Sequence, residues 1–298
     1  MLRHVRPRAL PWLALFSLVS CKGCFDEAST RAPDAAPRAE RPRPADGGGD
    51  GLQVLETSVF RAAGEPDFKN RYASTVMITT GPPEASKTCS GVLLAPSLAL
   101  TAAHCVCEPR AECVATAYVT TVTYDPVKAR IGTGGQTRVY EGVVLPHPEL
   151  ELLVDPTGQV VAGKANLALL QLDEPVEGLH SGFALTDTPA QSGELLVMAG
   201  YGRGGDVGSF YGLRYFRKNK VARASTPGGE RVLYEQQGTS LYNGFDGGPC
   251  FREEGPQRWL VGIATWGSDK ELSFTDLSPY QDWLRAELSK DARDSGRP

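Results

Sequence analysis

Methionine is scarce in this chain, with 3 among 298 residues, and the apolar runs are mostly short. That disfavours a bundle of long amphipathic helices. Positive charge is not in excess either. The formal net charge is −4, and setting aside Arg3, Arg6 and Arg8 makes the remainder more negative still. A chain without a basic footprint is not expected to bind nucleic acid. The apolar stretch PWLALFSLVS, residues 11–20, is too short to span a bilayer. No internal repeat is present, and no cofactor is expected. What the chain does have is glycine (33) and proline (22). With short apolar runs between them, these favour many strands joined by tight turns.

The basic MLRHVRPRAL followed by PWLALFSLVS reads as a removable targeting segment over residues 1–20. It ends Leu18-Val19-Ser20-Cys21, which resembles the lipobox of bacterial lipoproteins. The resemblance implies that Cys21 is acylated, becomes the mature N-terminus and holds the protein to membrane lipid. The alternative is an exported protein cleaved before an incidental cysteine. Lys22 at the next position is similar to lipoproteins sorted to an outer membrane. Residues 21–52 carry proline, alanine and mixed charge with no apolar period, so they are expected to be a disordered tether.

From about residue 53 the pattern changes. Runs rich in β-branched and apolar residues occur at 73–80, 90–103, 114–124, 137–145, 166–172, 194–202, 215–226, 231–237 and 259–267. Short strands at this spacing point to a sandwich or barrel. A helix is expected at 278–290, with Tyr280, Trp283, Leu284 and Leu288 near one face, Ser278 as its cap and Pro279 in its first turn. A disordered tail, 291–298, would follow.

Seven cysteines in an exported chain raise the question of disulfides. With Cys21 taken by lipid, Cys24, Cys89, Cys105, Cys107, Cys113 and Cys250 remain. Spacing in CVCEPRAEC suits a small loop closed by Cys107 and Cys113. A metal site of Cys105, Cys107 and Cys113 with His104 is the alternative, but an oxidising compartment favours disulfides and no metal is expected. Cys250 would pair with Cys24 or with nothing.

The most informative stretch is CSGVLLAPSLALTAAHC, Cys89 to Cys105. It resembles the histidine segment of trypsin-like (chymotrypsin-family) serine proteases, including the bracketing cysteine pair, and so implies a Cys89–Cys105 disulfide. NLALLQL, AGYG, GFDGGP, GIATWG and FTDLSPYQDWL follow in the family's order, and the resemblance covers roughly residues 58–288. It implies an all-β fold of two six-stranded antiparallel β-barrels, about 53–175 and 176–277, with a C-terminal helix and a site between the barrels.

At the catalytic positions the sequence departs from the family. His104 keeps the histidine position of the triad, Asn166 stands where the family has aspartate, and Asp246 stands where it has the nucleophilic serine. Gly244 and Asp246 occupy the oxyanion-hole positions. Phe245 replaces the aspartate that pairs with a new N-terminal amine in activated relatives, and SVFRAAGEPDF lacks the family's activation start. Ser240, Thr265, Trp266, Gly267 and Leu272 map to the substrate pocket, where Leu272 would narrow the cavity. Tyr242 replaces a cysteine of the family.

Loss of the nucleophile and of the triad acid implies a catalytically inactive homologue, anchored at the cell envelope, that binds a peptide or an envelope protein. Asp246 is expected to face His104 as a carboxylate–imidazolium pair. Two other readings are a hydrolase with residual or unconventional activity and a structural envelope protein.

Overall fold

Closing the sheets into rings hides the apolar faces of the strands from water. Leu98–Thr101 and most of Lys87–Ala95 are buried throughout, whereas Gly135–Pro146 alternates buried and exposed residues over its second half. The computed structural model describes residues 64–81, 86–108, 112–125, 128, 135–154, 156, 160–178, 182–201, 213–225, 230–235, 245–265, 272–294 and 296. The strands are β1 (Glu65–Pro66), β2 (Thr75–Thr80), β3 (Lys87–Ala95), β4 (Leu98–Thr101), β5 (Thr116–Tyr124), β6 (Gly135–Pro146), β7 (Glu151–Val154) and β8 (Val160–Lys164). They continue with β9 (Ala168–Leu172), β10 (Ala184–Leu185), β11 (Leu195–Tyr201), β12 (Arg214–Arg223), β13 (Arg231–Glu235), β14 (Pro249–Glu254), β15 (Gln257–Thr265) and β16 (Leu272–Asp276). A 3-10 turn at Ser278–Tyr280 leads into one α-helix, α1 (Gln281–Asp294). Among the described residues no helix is long and apolar enough to cross a membrane.

The first barrel closes in the order β2, β3, β4, β9, β6, β5. The second runs β12, β11, β14, β15, β16, β13, and pairing of β13 with β12 completes it. These are the two six-stranded antiparallel barrels that the sequence leads one to expect. β1 adds to the outside of β12, β10 runs parallel to β15, and β7 and β8 form a separate hairpin. Val76, Ile78, Val92, Leu100, Val119 and Leu169 are buried in the core of the first barrel. Leu196, Met198, Val232, Val261 and Phe274 do the same in the second.

Three details differ from the sequence reading. The run at 90–103 is not one strand. Pro96 and Ser97 separate β3 from β4, whose residues pair back on each other, and Ala103–Cys105 is a 3-10 turn. The acceptor for the Ser278 N–H is Asp276 Oδ1 at 2.8 Å, so Asp276 caps the entry to the C-terminal helix. Helix α1 also extends to Asp294, past the expected start of the tail at 291. The reason is Asp291, a buried carboxylate that accepts from Ser97 Oγ at 2.6 Å and Gln171 Nε2 at 3.0 Å. Those two bonds reach the first barrel and hold the last turn down. Leu284, Tyr280, Trp283 and Leu288 pack on the same large core cluster, as their spacing implies.

Arg214 at the start of β12 is fully buried. Its Nε donates to Asp67 Oδ2 at 2.8 Å, and its Nη1 donates to Val122 O at 3.0 Å and to Tyr201 Oη at 2.9 Å. Asp67, just after β1, is buried with it and accepts from the Arg71 and Tyr72 N–H groups. One guanidinium therefore joins the entering chain, β5 of the first barrel and β11 of the second. Asp67→Ala would leave a buried cation without its counter-charge. We expect it to cost about 3–5 kcal/mol in urea unfolding. The double change Asp67→Leu with Arg214→Met should recover only part of that loss. It removes the unpaired charge but leaves the Arg71 and Tyr72 N–H groups and Val122 O without their partners.

Candidate functional site

Strand pairing brings the first two site residues together. β4 and β9 are antiparallel with Thr101 opposite Ala168. The residues just after Thr101 and just before Ala168 therefore emerge side by side, and these include His104 and Asn166. His104 sits in the 3-10 turn with its side chain about nine-tenths buried. Asn166 follows Ala165, a non-glycine residue at φ 48°. That left-handed conformation is uncommon for alanine and costs of order 1 kcal/mol or more. It is held by Glu230 Oε2, which accepts from the Ala165 N–H at 2.9 Å. Burial of the Glu230 carboxyl pushes its pKa up, against the opposing pull of that hydrogen bond and of Lys164.

Asp246 reaches His104 because its turn is pressed onto the first barrel. Ser90 N–H of β3 donates to Asp246 O at 2.7 Å. Gly247 has φ 80°, and a Cβ there would lie 2.2 Å from Thr101 Oγ1 and 2.3 Å from Ser90 O. Only glycine permits this approach. The Gly247 N–H bonds Ala264 O, and the Ala264 N–H returns to Gly248 O, each at 2.8 Å, so the turn is also tied to β15. Phe245 is half-buried and lies against Gly200, where a Cβ would meet its ring at 3.0 Å.

The hydrogen bonds around His104 assign its tautomer. The His104 backbone N–H donates to Asn166 Oδ1 at 2.9 Å, which orients the amide. Asn166 Nδ2 then lies 2.9 Å from His104 Nδ1. An NH₂ group can only donate, so Nδ1 must offer its lone pair. A proton on Nδ1 would face the amide hydrogens across that short contact, even though Asn166 Oδ1 lies 3.3 Å away. The neutral ring therefore carries its proton on Nε2. Nε2 lies 3.9 Å from Asp246 Oδ2 and 3.9 Å from Cys105 Sγ. The Asp246 carboxylate does face the histidine, at a separation longer than a direct hydrogen bond.

Lys87, at the start of β3, had no signal in the sequence that marked it for this site. Its Nζ donates to the His104 carbonyl oxygen. Partial desolvation lowers its pKa, while Glu108 and Asp246 pull it back up. Glu230 was likewise missed, because it lies 65 residues from the backbone group it holds.

The remaining expected residues fall in several places. Thr265 ends β15, with Oγ1 3.1 Å from Ser273 Oγ, and Leu272 opens β16 opposite Tyr234. Ser240, Tyr242, Gly244, Trp266 and Gly267 lie outside the described residues, as do Cys21, Lys22 and Cys24. Cys89 is bonded to Cys105 and Cys107 to Cys113. Cys89, His104 and Cys105 do cluster. With all four of these cysteines oxidised, though, neither that cluster nor the alternative set of Cys105, Cys107 and Cys113 with His104 offers thiolates to a metal. Cys250 is a buried free thiol whose pKa burial pushes well up.

The tautomer has a direct spectroscopic consequence. Long-range ¹H–¹⁵N correlation spectra at a pH where His104 is neutral should show the proton on Nε2. Asn166→Asp should move it to Nδ1, since a carboxylate only accepts. Finding Nδ1–H in the unaltered protein would contradict the assignment.

Residues 63–284 match the family model described as Trypsin. Among solved structures, the scabies mite inactivated protease paralogue S-I1 is similar, with TM-score 0.55 and 22% identity over 76% of this chain and 99% of that one. A structure described as GrC is similar at TM-score 0.55 and 16% identity, over 74% of this chain and 96% of that one. At such identities the likeness concerns the fold. No curated protein matches the chain in sequence. The family model spans well over half of the residues and the two barrels carry the matching architecture, so the chain belongs to the trypsin family.

Proposed function

We propose that this chain is a catalytically inactive member of its family that serves as a lipid-anchored domain binding a peptide or an envelope protein. The observation that carries the reading is the inverted hydrogen-bond polarity around His104. A general base for acyl transfer needs a lone pair on Nε2 to take the nucleophile's proton. Here the Asn166 amide donates to Nδ1 and leaves the proton on Nε2. Replacing the family's aspartate by asparagine costs about 10⁴ in turnover in a serine protease with everything else intact. At 246 there is no hydroxyl at all, and a carboxylate there opposes an oxyanion developing at the turn.

The folded framework is nevertheless kept. The turn at 245–248 is fastened to both barrels, so the framework beside His104 and Asn166 persists without the chemistry. A structurally similar relative is described as an inactivated protease paralogue, which fits a family member used for something other than hydrolysis. The anchoring part of the proposal rests on Leu18-Val19-Ser20-Cys21 and on the proline-rich stretch after it. More than one acyl chain is needed for durable attachment, since each buried methylene contributes about 0.8 kcal/mol.

Purified protein should neither react with an active-serine fluorophosphonate probe nor cleave a broad peptide library. Asp246→Ser alone should hydrolyse very slowly, because Asn166 still holds His104 in the wrong tautomer. Adding Asn166→Asp to it should raise the rate by orders of magnitude. Cleavage by the unaltered protein that disappears in His104→Ala would overturn the inactive reading. For the anchor, radiolabelled fatty acid should appear on Cys21, and Cys21→Ser should release the protein or trap its precursor. An unmodified mature N-terminus would refute the lipid attachment.

A further inference from the structure

We infer that the space between His104 Nε2 and Asp246 Oδ2 receives the side-chain hydroxyl of a serine or threonine in the bound peptide. This rests on the peptide-binding reading and specifies what the cleft selects. The argument starts from two polar atoms facing one gap. Nε2 carries a proton, because Asn166 occupies the lone pair of Nδ1. Oδ2 of the ionised Asp246 is an acceptor. They stand 3.9 Å apart, with side chains 9% and 26% exposed. That distance is too long for a hydrogen bond between them.

Among the described residues, other neighbours do not use up this capacity. Cys105 Sγ, also 3.9 Å from Nε2, is tied up in a disulfide and is a weak acceptor at best. The Lys87 ammonium acts on Asp246 electrostatically while its hydrogen bond goes to the His104 carbonyl. The Asp246 backbone oxygen is engaged by Ser90 N–H, which holds the turn and leaves the carboxylate directed elsewhere.

A group that fits must accept from Nε2–H and donate to Oδ2 through a single atom. A peptide carbonyl accepts but cannot donate, and its oxygen would stand against the carboxylate. An ammonium donates but cannot accept, so it would face the Nε2 proton. A hydroxyl does both. Its oxygen, about 2.8 Å from each partner, sits to one side of the line joining atoms 3.9 Å apart. The same preference holds if the ring becomes protonated, because Nε2 remains a donor. Water has this chemistry too and would compete for the gap. A ligand that displaces it without loss must reproduce both bonds. The ligand's hydroxyl thus takes the place that the family's own serine hydroxyl would occupy.

The test is an array of nonapeptides with randomised flanks and Ser, Thr, Ala or Val at the centre, probed with the purified full chain. Peptides selected from it are then measured by calorimetry. The Ser or Thr member of each pair should bind about tenfold tighter than its Ala or Val counterpart, as one charge-assisted hydrogen bond allows. Asp246→Ala, with the turn still held through backbone groups and Gly247, should shrink that difference severalfold, because the hydroxyl loses the acceptor for its proton and keeps only Nε2–H. Peptide binding without a hydroxyl preference, or a preference undiminished in Asp246→Ala, overturns this inference and leaves the binding function standing. No binding by any peptide overturns both.

Discussion

A single buried cation ties this molecule together. Arg214 has no exposed surface, and its partners come from the chain entering the fold, from β5 and from β11. The backbone adds to the join, with Asp67 N–H donating to Arg214 O and Arg214 N–H donating to Tyr124 Oη. A guanidinium taken out of water must have its charge matched and its donors satisfied, or the fold loses several kcal/mol. That requirement places residues 67–72 between the barrels and fixes how β12 meets β5. His104 and Asn166 come from one barrel and Asp246 from the other, so the site needs the barrels joined both here and at the turn, where Ser90 N–H meets Asp246 O.

Within the cleft, close approach matters more than attraction. The turn at 245–248 has no room for a side chain at Gly247, and Thr101 Oγ1 is itself held by Ser90 O at 2.7 Å. The same two residues therefore set both the wall and the distance to His104. On the opposite side, the left-handed Ala165 presents Asn166, with Glu230 gripping its N–H across 65 residues of sequence. The scaffold that positions reacting groups in an active family member is present here, and it positions an amide and a carboxylate. The binding role proposed above uses such a fixed donor and acceptor, whereas acyl chemistry needs a free Nε2 lone pair and a nucleophile beside it.

Much of this was legible in the chain before folding was considered. Short β-branched runs, the order of six motif segments, and the substitutions at 166 and 246 all follow from residue identity. So does the apolar face of the last helix, because periodicity is a local property, whereas the two barrels are what the family resemblance implies. The segments that escaped notice are those whose pattern is masked by charge or length. β14 ends in Arg252, Glu253 and Glu254, and Arg252 is paired with Glu194 from a distant turn. The helix ran past its expected end because Asp291 has its partners on the first barrel, far away in sequence.

Sequence alone determined which chemical groups the cleft contains: one imidazole, one amide and one carboxylate at the positions of a triad. Their hydrogen-bond directions were decided only by the tertiary structure. Asn166 reads the same in the chain whether its oxygen or its nitrogen meets the ring. The amide is turned by a backbone N–H that reaches it only after β4 and β9 have paired. The 3.9 Å gap to Asp246 likewise exists only once a glycine turn from the second barrel is packed against the first. Residue type is encoded locally, whereas donor direction and separation arise from contacts between segments far apart in the chain.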